Sequence, residues 1–364
     1  MRARPPRPSR FPRRPRRGSV ILFVLGVIFL AAFLLTRLID RAGGELLAET
    51  KAASRTVLRD EAYSALEVTL AVLADASAND GGLHAPQQGW GNPLEYASYQ
   101  PPAGYEITVS FEDETGKLPL ATVSATVLQQ YLEAVGATKS EAERLADALL
   151  GWTEAEYLPV TSDADPRNYE SAPLPYAPPQ RALHTFEELR AVAVARDLFF
   201  DADGRWNDLG GKFRADASLQ SFTHVNVNSA RPAVLVALGL DPSHASAVVD
   251  ELKSPAGAQR EAKYYRTIGD AAAVHGAELN QAGLGADVQC LRIHVTVKQG
   301  GHVFHLAAVV QPAGSPVTTP AATPPPAADL NALPPTPVDP RAVTSKRIDY
   351  PFRILELLEN DGSN

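Results

Sequence analysis

The 364-residue chain has a single cysteine, Cys290, so it can form no internal disulfide. Because many exported proteins also lack disulfides, this leaves the compartment open. The chain contains no H-E-x-x-H, G-x-S-x-G or Walker-type loop, and its eight histidines follow no metal-binding spacing. An enzyme would therefore have no activated nucleophile or matched acid–base pair to use. Acidic residues are absent from 1–18, which carry eight of the 34 Lys and Arg, and charge of either sign is absent from Ser19 to Thr36. The remaining 26 basic residues face 42 acidic ones. A body of that sign repels phosphate backbones, which argues against nucleic acid as a partner of the whole molecule.

The composition is otherwise that of a globular protein, 45% hydrophobic and 21% charged, and the chain is long enough for more than one domain. The eighteen uncharged residues from Ser19 span about 27 Å as a helix, enough for a bilayer core. A secretory signal has a shorter apolar region followed by a small-x-small cleavage site. Here Arg37, Leu38, Ile39 and Asp40 follow instead. The arginines ahead of the run place the N-terminus in the cytoplasm and the body outside. Hydropathy alone fits a simple signal anchor. However, Leu58, Ala62, Leu66, Leu70 and Leu73 continue an apolar stripe at helical spacing beyond the membrane, with Gly43 and Gly44 as a flexible point between the two parts.

A polar-to-apolar switch on one glycine, with a membrane helix running on as an amphipathic one, resembles the N-terminal spine of type IV pilins and pseudopilins. The resemblance implies cleavage by a prepilin peptidase between Gly18 and Ser19. It also implies a membrane and assembly surface that includes Leu22, Phe23, Leu25, Leu30 and Phe33. Most members of that family carry a glutamate five residues after the cut; here that residue is Phe23, and no acid precedes Asp40. A carboxylate at that depth is costly unless paired. Its absence suits a subunit at a filament end and is the known departure of the minor pseudopilin family of type II secretion protein K.

Residues 78–104 are rich in Gly, Pro and Asn and read as loop. Tyr105, Ile107, Val109 and Phe111 alternate with polar residues as a half-buried strand, and Asp113-Glu114-Thr115-Gly116 supplies a turn. Gly116 and Lys117 match an acidic-Gly-Lys step of the protein K family. Helical signals follow. Ser140–Glu143 reads as a capping box ahead of a stripe of Leu145, Leu149 and Trp152, and Thr185–Glu188 reads as another ahead of Leu189 and Val192. "LLGWTEAE" and "YAPPQRALHTFEELRAV" resemble further segments of the family.

In "HVNVNSARPAVLVALGLDPSHASAVVDEL", residues 224–252, Ser229 is expected to cap a helix ending at Gly239, and Asp241 a second one opening with Pro242. Asn226, Asn228 and Ser229 preserve the N-x-N-T-A pattern of the family's second SAM-like repeat. The same hairpin also reads as a DNA-binding helix-hairpin-helix. Against that, residues 218–285 hold five Lys/Arg and six Asp/Glu, a poor phosphate receptor, and Asp241 stands where a second glycine is wanted. Two alternating runs around Gly300-Gly301 form a hairpin with Cys290, Leu291, Ile293, Val295 and Val297 in its first strand; His302 and His305 read as surface residues.

Two acidic clusters are candidates for a hard cation such as calcium. The first is Asp163, Asp165, Asn168 and Glu170; the second is Asp201, Asp203, Asn207 and Asp208. The alternative for both is a solvated acidic turn. Protein K relatives can bind calcium in their helical insertion, which the resemblance carries over to the first cluster.

The expected fold is α+β: a pilin-like N-terminal spine helix on a small antiparallel sheet, with a large inserted, mainly α-helical SAM-like domain. The divisions are a cleaved basic leader at 1–18, the spine at 19–77 and sheet parts at 78–119 and 287–312. The insertion falls at 120–286, a Pro/Ala/Thr-rich disordered linker at 313–343 and a C-terminal tail at 344–364 with an apolar patch. The resemblance implies a structural, non-enzymatic minor pseudopilin at the tip of the type II secretion pseudopilus. It would be a single-pass inner-membrane protein with a periplasmic body, working in protein secretion. Its partners would be the other minor pseudopilins, the major pseudopilin and the prepilin peptidase. The alternatives are a membrane-anchored DNA-uptake protein using the 224–252 hairpin, and a minor pilin of a type IV pilus.

Overall fold

The computed structural model describes residues 19–165, 167–170, 175–253, 263–279, 283–313 and 351–360. The expected leader, and the linker beyond Ala313, lie outside the described residues. The chain divides into two units, Met1–Val57 and Leu58–Asn364. The first helix, α1 (Ser19–Asp80), contributes to both. Its backbone is helical through Gly43 and Gly44, each of which costs a helix about 1 kcal/mol relative to alanine without ending it.

In the second unit, Leu58, Ala62, Ala65, Leu66, Leu70 and Leu73 form one buried stripe of α1. The helix ends where Gly81 takes a left-handed φ of 75°, a conformation that glycine adopts freely. The stripe packs on a four-stranded antiparallel sheet of β1 (Tyr105–Asp113), β2 (Leu291–Gln299), β3 (His302–Pro312) and β4 (Phe352–Asn360), in that spatial order. Tyr105 pairs with Gln299 and Asp113 with Leu291; Leu291 pairs with Val310 and Gln299 with His302. This register puts Leu291, Ile293, Val295 and Val297 on the same face as Phe304, Leu306, Ala308 and Val310, all buried with the helix stripe. Each large side chain of that kind contributes about 1.5–3 kcal/mol on burial.

The C-terminal segment forms a strand. Phe352–Asn360 pairs antiparallel with β3, with a register shift at Val309/Val310. Phe352 is buried in the sheet–helix core, and Glu359 accepts hydrogen bonds from Arg59 Nε (2.8 Å) and the Tyr63 hydroxyl (2.6 Å) of α1.

Between β1 and β2 lies the helical part, with its own core. It comprises α2 (Ala125–Ala134), α3 (Lys139–Thr153), α4 (Ala193–Phe199), α5 (Asp208–Asp216), α6 (Pro232–Ala237), α7 (Pro242–Lys253) and α8 (Ile268–His275). Leu118–Pro119 pairs in parallel with Ala217–Ser218, so residues just after β1 already belong to this part.

Two expected caps fall elsewhere. The capping box of α3 is Thr138 with Glu141, not Ser140 with Glu143: Thr138 Oγ1 accepts from Glu141 N (3.3 Å) and Glu141 Oε2 from Thr138 N (2.8 Å). Both pairs fit the S/T-x-x-E pattern, but the earlier start adds a further stretch of helical backbone ahead of the buried Ala142 and Leu145. The N-cap of α6 is Arg231, not Ser229, whose hydroxyl is taken by another partner. The other two expected caps are present, and the stretch read as loop at 78–104 holds the end of α1 and a short helix, Pro93–Tyr96. Glu188 accepts from Thr185 N (3.2 Å) at the head of a 3₁₀ turn, Phe186–Ala191, with Leu189 and Val192 buried. Asp241 accepts from Ser243 N (2.9 Å) at the start of α7.

Candidate functional site

The first candidate surface is the apolar start of α1. Ile21–Ala42 is long and apolar enough to cross a membrane, with none of its length buried. Leu22, Phe23, Leu25, Leu30 and Phe33 are all exposed, Phe23 at 72%. Water disfavours so much contiguous apolar surface, so lipid or other apolar helices must cover it. Gly18 lies outside the described residues, and of Ser19 only the helical backbone is described.

The second feature is the junction between sheet and insertion, which brings together two sequence motifs more than 100 residues apart. Asp113, at the end of β1, caps the 114–116 turn by accepting from Thr115 N (2.9 Å). Its other oxygen accepts from Asn226 Nδ2 (2.7 Å) and the Ser229 hydroxyl (2.5 Å) of the insertion. Burial pushes the Asp113 carboxyl up to about 6 against the pull of these donors. Asn226 also donates to His84 O (2.9 Å), and Asn228 Nδ2 donates to Tyr265 O and Ala286 O. Thr115 closes the returning strand: its hydroxyl accepts from Gln289 N and Cys290 N, both at 2.9 Å. Close approach requires glycine at two points. A Cβ on Gly116 would lie 2.3 Å from Ser229 Oγ, and one on Gly285 2.0 Å from the His224 ring. His224 Nε2 stands 2.9 Å from Asp287 Oδ1. Burial lowers the His224 pKa, but Asp287 outweighs it and the net shift is upward.

Beside this junction, the sheet face opposite α1 carries a charged network. Glu114 is buried and accepts from Arg292 Nε (2.8 Å), Lys117 Nζ (3.1 Å) and the Ser218 hydroxyl (2.7 Å). Arg292 also faces Glu356 of β4 at 3.4 Å. Glu112, held by His294 and Lys117, titrates down at about 2. Cys290 is buried, and desolvation raises its thiol pKa far above the ordinary value, so it is no nucleophile.

The acidic clusters do not converge. Asp163 is paired with Arg144, and Asp165 with Arg167 (2.6 Å). Glu170 is exposed. Asp201 caps its own turn, accepting from Asp203 N (2.9 Å) and Arg205 N (2.8 Å). Asn207 caps α5 by accepting from Gly210 N (2.9 Å). Among the described residues no three His, Cys, Asp or Glu groups stand close enough to hold a metal ion. In the 224–252 hairpin, Arg231 is committed to buried Asp216 (2.7 Å), and the turn carries the acidic Asp241.

Sequence reading missed Asp147, His224 and Gly285, and it placed Thr115 in a turn without its bonds to the returning strand. Asp147 lies on the inner face of α3, where an acid between apolar positions was the available signal. The other three act through neighbours distant in sequence.

An N-terminal apolar helix, an antiparallel sheet on the second part of that helix, and a helical insertion between its first two strands define a pilin-like α+β protein with an enlarged head. Residues 111–199 match the family model described as "Type II secretion system (T2SS), protein K". "Type II secretion system protein K" of Pectobacterium carotovorum subsp. carotovorum is 24% identical over 204 residues, 51% of this chain. That alignment spans 61% of the relative's length. The fold resembles a chain in the crystal structure of the GspK-GspI-GspJ complex from the type 2 secretion system of enterotoxigenic Escherichia coli. It does so with a TM-score of 0.54 at 14% identity, covering 85% of this chain and 98% of that one. The three findings point to one family, type II secretion system protein K, as what this chain is similar to, with residues 111–199 the part that its model matches.

Proposed function

We propose that this chain is a minor pseudopilin of a type II secretion system, acting as a structural rather than catalytic component at the tip of the pseudopilus. The observation that carries this reading is the coincidence, in one chain, of an uncovered bilayer-length N-terminal helix with a protein K-type domain at 111–199. The arginine-rich residues 1–17 support a cytoplasmic N-terminus and a periplasmic body in the inner membrane. Processing by a prepilin peptidase after Gly18 would leave the apolar helix on the mature protein, with Leu22, Phe23, Leu25, Leu30 and Phe33 against lipid and neighbouring spines. Phe23 in place of an acid fits a subunit with a neighbour on one side alone, and the bulky insertion would block addition above it. The solved relative in a complex named for three components supports two small minor pseudopilins as the nearest partners. The fold likeness, the pairing of Arg231 with Asp216 and the acidic Asp241 in the hairpin turn favour this over DNA binding.

Co-expression of the chain with two small minor pseudopilins from the same bacterium tests the proposal. The expected result is a ternary complex that survives gel filtration, together with restored secretion in a strain lacking its protein K. A chain that elutes alone and shifts duplex DNA in a salt-sensitive manner would overturn it.

A further inference from the structure

The loop after α3 is tied down on a single carboxylate. Asp147 is buried, and its carboxylate receives four donors from that loop. Oδ1 accepts from the Tyr157 hydroxyl (2.8 Å) and Val160 N (3.0 Å). Oδ2 accepts from Thr161 N (2.7 Å) and the Thr161 hydroxyl (2.5 Å). A carboxylate offers about four lone-pair sites, so this one is filled by protein donors. Burial pushes the Asp147 pKa up, but the Thr161, Val160 and Tyr157 donors more than offset it, and the net shift is downward.

Further along, both aspartates of the candidate cluster already face a guanidinium, and Glu170 is exposed beyond them. Arg144, one turn before Asp147 on α3, reaches Asp163, and Arg167 forks onto both oxygens of Asp165 with Nε at 3.1 and 3.0 Å. Asn168 Nδ2 donates to Ser162 O (2.6 Å), a further bond that closes the loop. Calcium needs six to eight converging oxygens. The oxygens present here are divided among separate protein donors, and the set does not fit a calcium site.

We propose that this chain closes the loop of residues 154–165 with protein groups in place of a divalent cation, Asp147 gathering the backbone and Arg144 and Arg167 supplying the positive charge. The loop so closed holds Leu158 and Val160 outward, at 85% and 87% exposure. Fixing such large apolar groups in water requires the firm anchoring that Asp147 provides beneath them.

The test uses the full-length protein in detergent micelles, stripped with EDTA and titrated with calcium chloride alone. Melting temperatures with EDTA and with millimolar calcium are expected to agree within about 1 °C, and calorimetry should give no saturable heat. A rise of roughly 5 °C or more, or a saturable site, would overturn the proposal. The second measurement is chymotryptic cleavage at Tyr157. Thr161→Val removes one of the four donors with little change of shape, and Asp147→Asn disrupts the acceptor. Cleavage is expected to accelerate about threefold in the first and tenfold or more in the second, with calcium restoring neither. Unchanged cleavage in both variants, or restoration by calcium in either, would contradict the assignment.

Discussion

Ser229 of the insertion donates its hydroxyl to Asp113 at the end of β1, 2.5 Å away. The two residues are 116 positions apart in sequence, yet they close the same turn. The bond explains why the serine does not cap α6 and why Gly116 must lack a side chain.

Removing Asp113 leaves the buried donors of Asn226 and Thr115 without an acceptor. Asp113→Ala should destabilise the protein by about 3 kcal/mol, whereas Ser229→Ala, which removes one donor, should cost about 1 kcal/mol. Urea unfolding followed by Trp fluorescence measures both. Equal losses would mean that the turn does not depend on the carboxylate.

Two glycines should behave oppositely to a third. Gly285→Ala drives a methyl into the His224 ring and Gly116→Ala drives one into Ser229, so each should cost about 1–3 kcal/mol or more. Gly211, inside α5, has open space where its Cβ would be. Gly211→Ala should therefore stabilise by up to about 1 kcal/mol through helix propensity. Melting temperatures of the three variants check this, and a loss at Gly211 as large as at Gly285 would contradict the packing described.

Stability should fall as the pH rises from about 5 to 7. His224 and Asp113 both have folded pKa values above their unfolded ones, Asp113 at about 6. The native state therefore binds more protons in that window, and the contribution is complete below the unfolded pKa values and lost as pH climbs through the folded ones. Glu112 runs the other way: its stabilisation is full above pH 4.5 and disappears as pH falls through about 2, outside the window. Melting temperature against pH tests this, with His224→Gln expected to flatten the slope. A slope of opposite sign, or one unchanged in the variant, would contradict it.

Phe352 anchors β4, so Phe352→Ala should destabilise by about 3 kcal/mol. Deleting 351–364 also exposes the β3 edge and leaves Arg59 without Glu359. The deletion should increase aggregation as read by light scattering, and a soluble, equally stable deletion would show that the strand is dispensable.

Periodicity made much of this fold legible in advance. The stripe from Leu58 to Leu73 repeats at helical spacing, and the alternation in 105–111 and 291–297 is that of strands with one buried face. What stayed hidden depended on partners far along the chain. "FRILELLEN" lacks clean alternation because of the register shift at its pairing with β3, and its apolar patch fits a helix equally well. Two overlapping S/T-x-x-E patterns at 138–143 left the start of α3 ambiguous until packing selected one. The acidic cluster at 163–170 suggested a cation site because sequence shows the carboxylates but not the guanidiniums that fold onto them. Asp113 and the Asn226–Ser229 segment were each visible as motifs, but nothing local indicated that they meet.

The most direct test of the account is the intact mass and N-terminal sequence of the protein extracted from its native membrane. The account predicts a chain that begins at Ser19 and retains the whole apolar helix. Material beginning at Met1, or beyond Arg37, would contradict it.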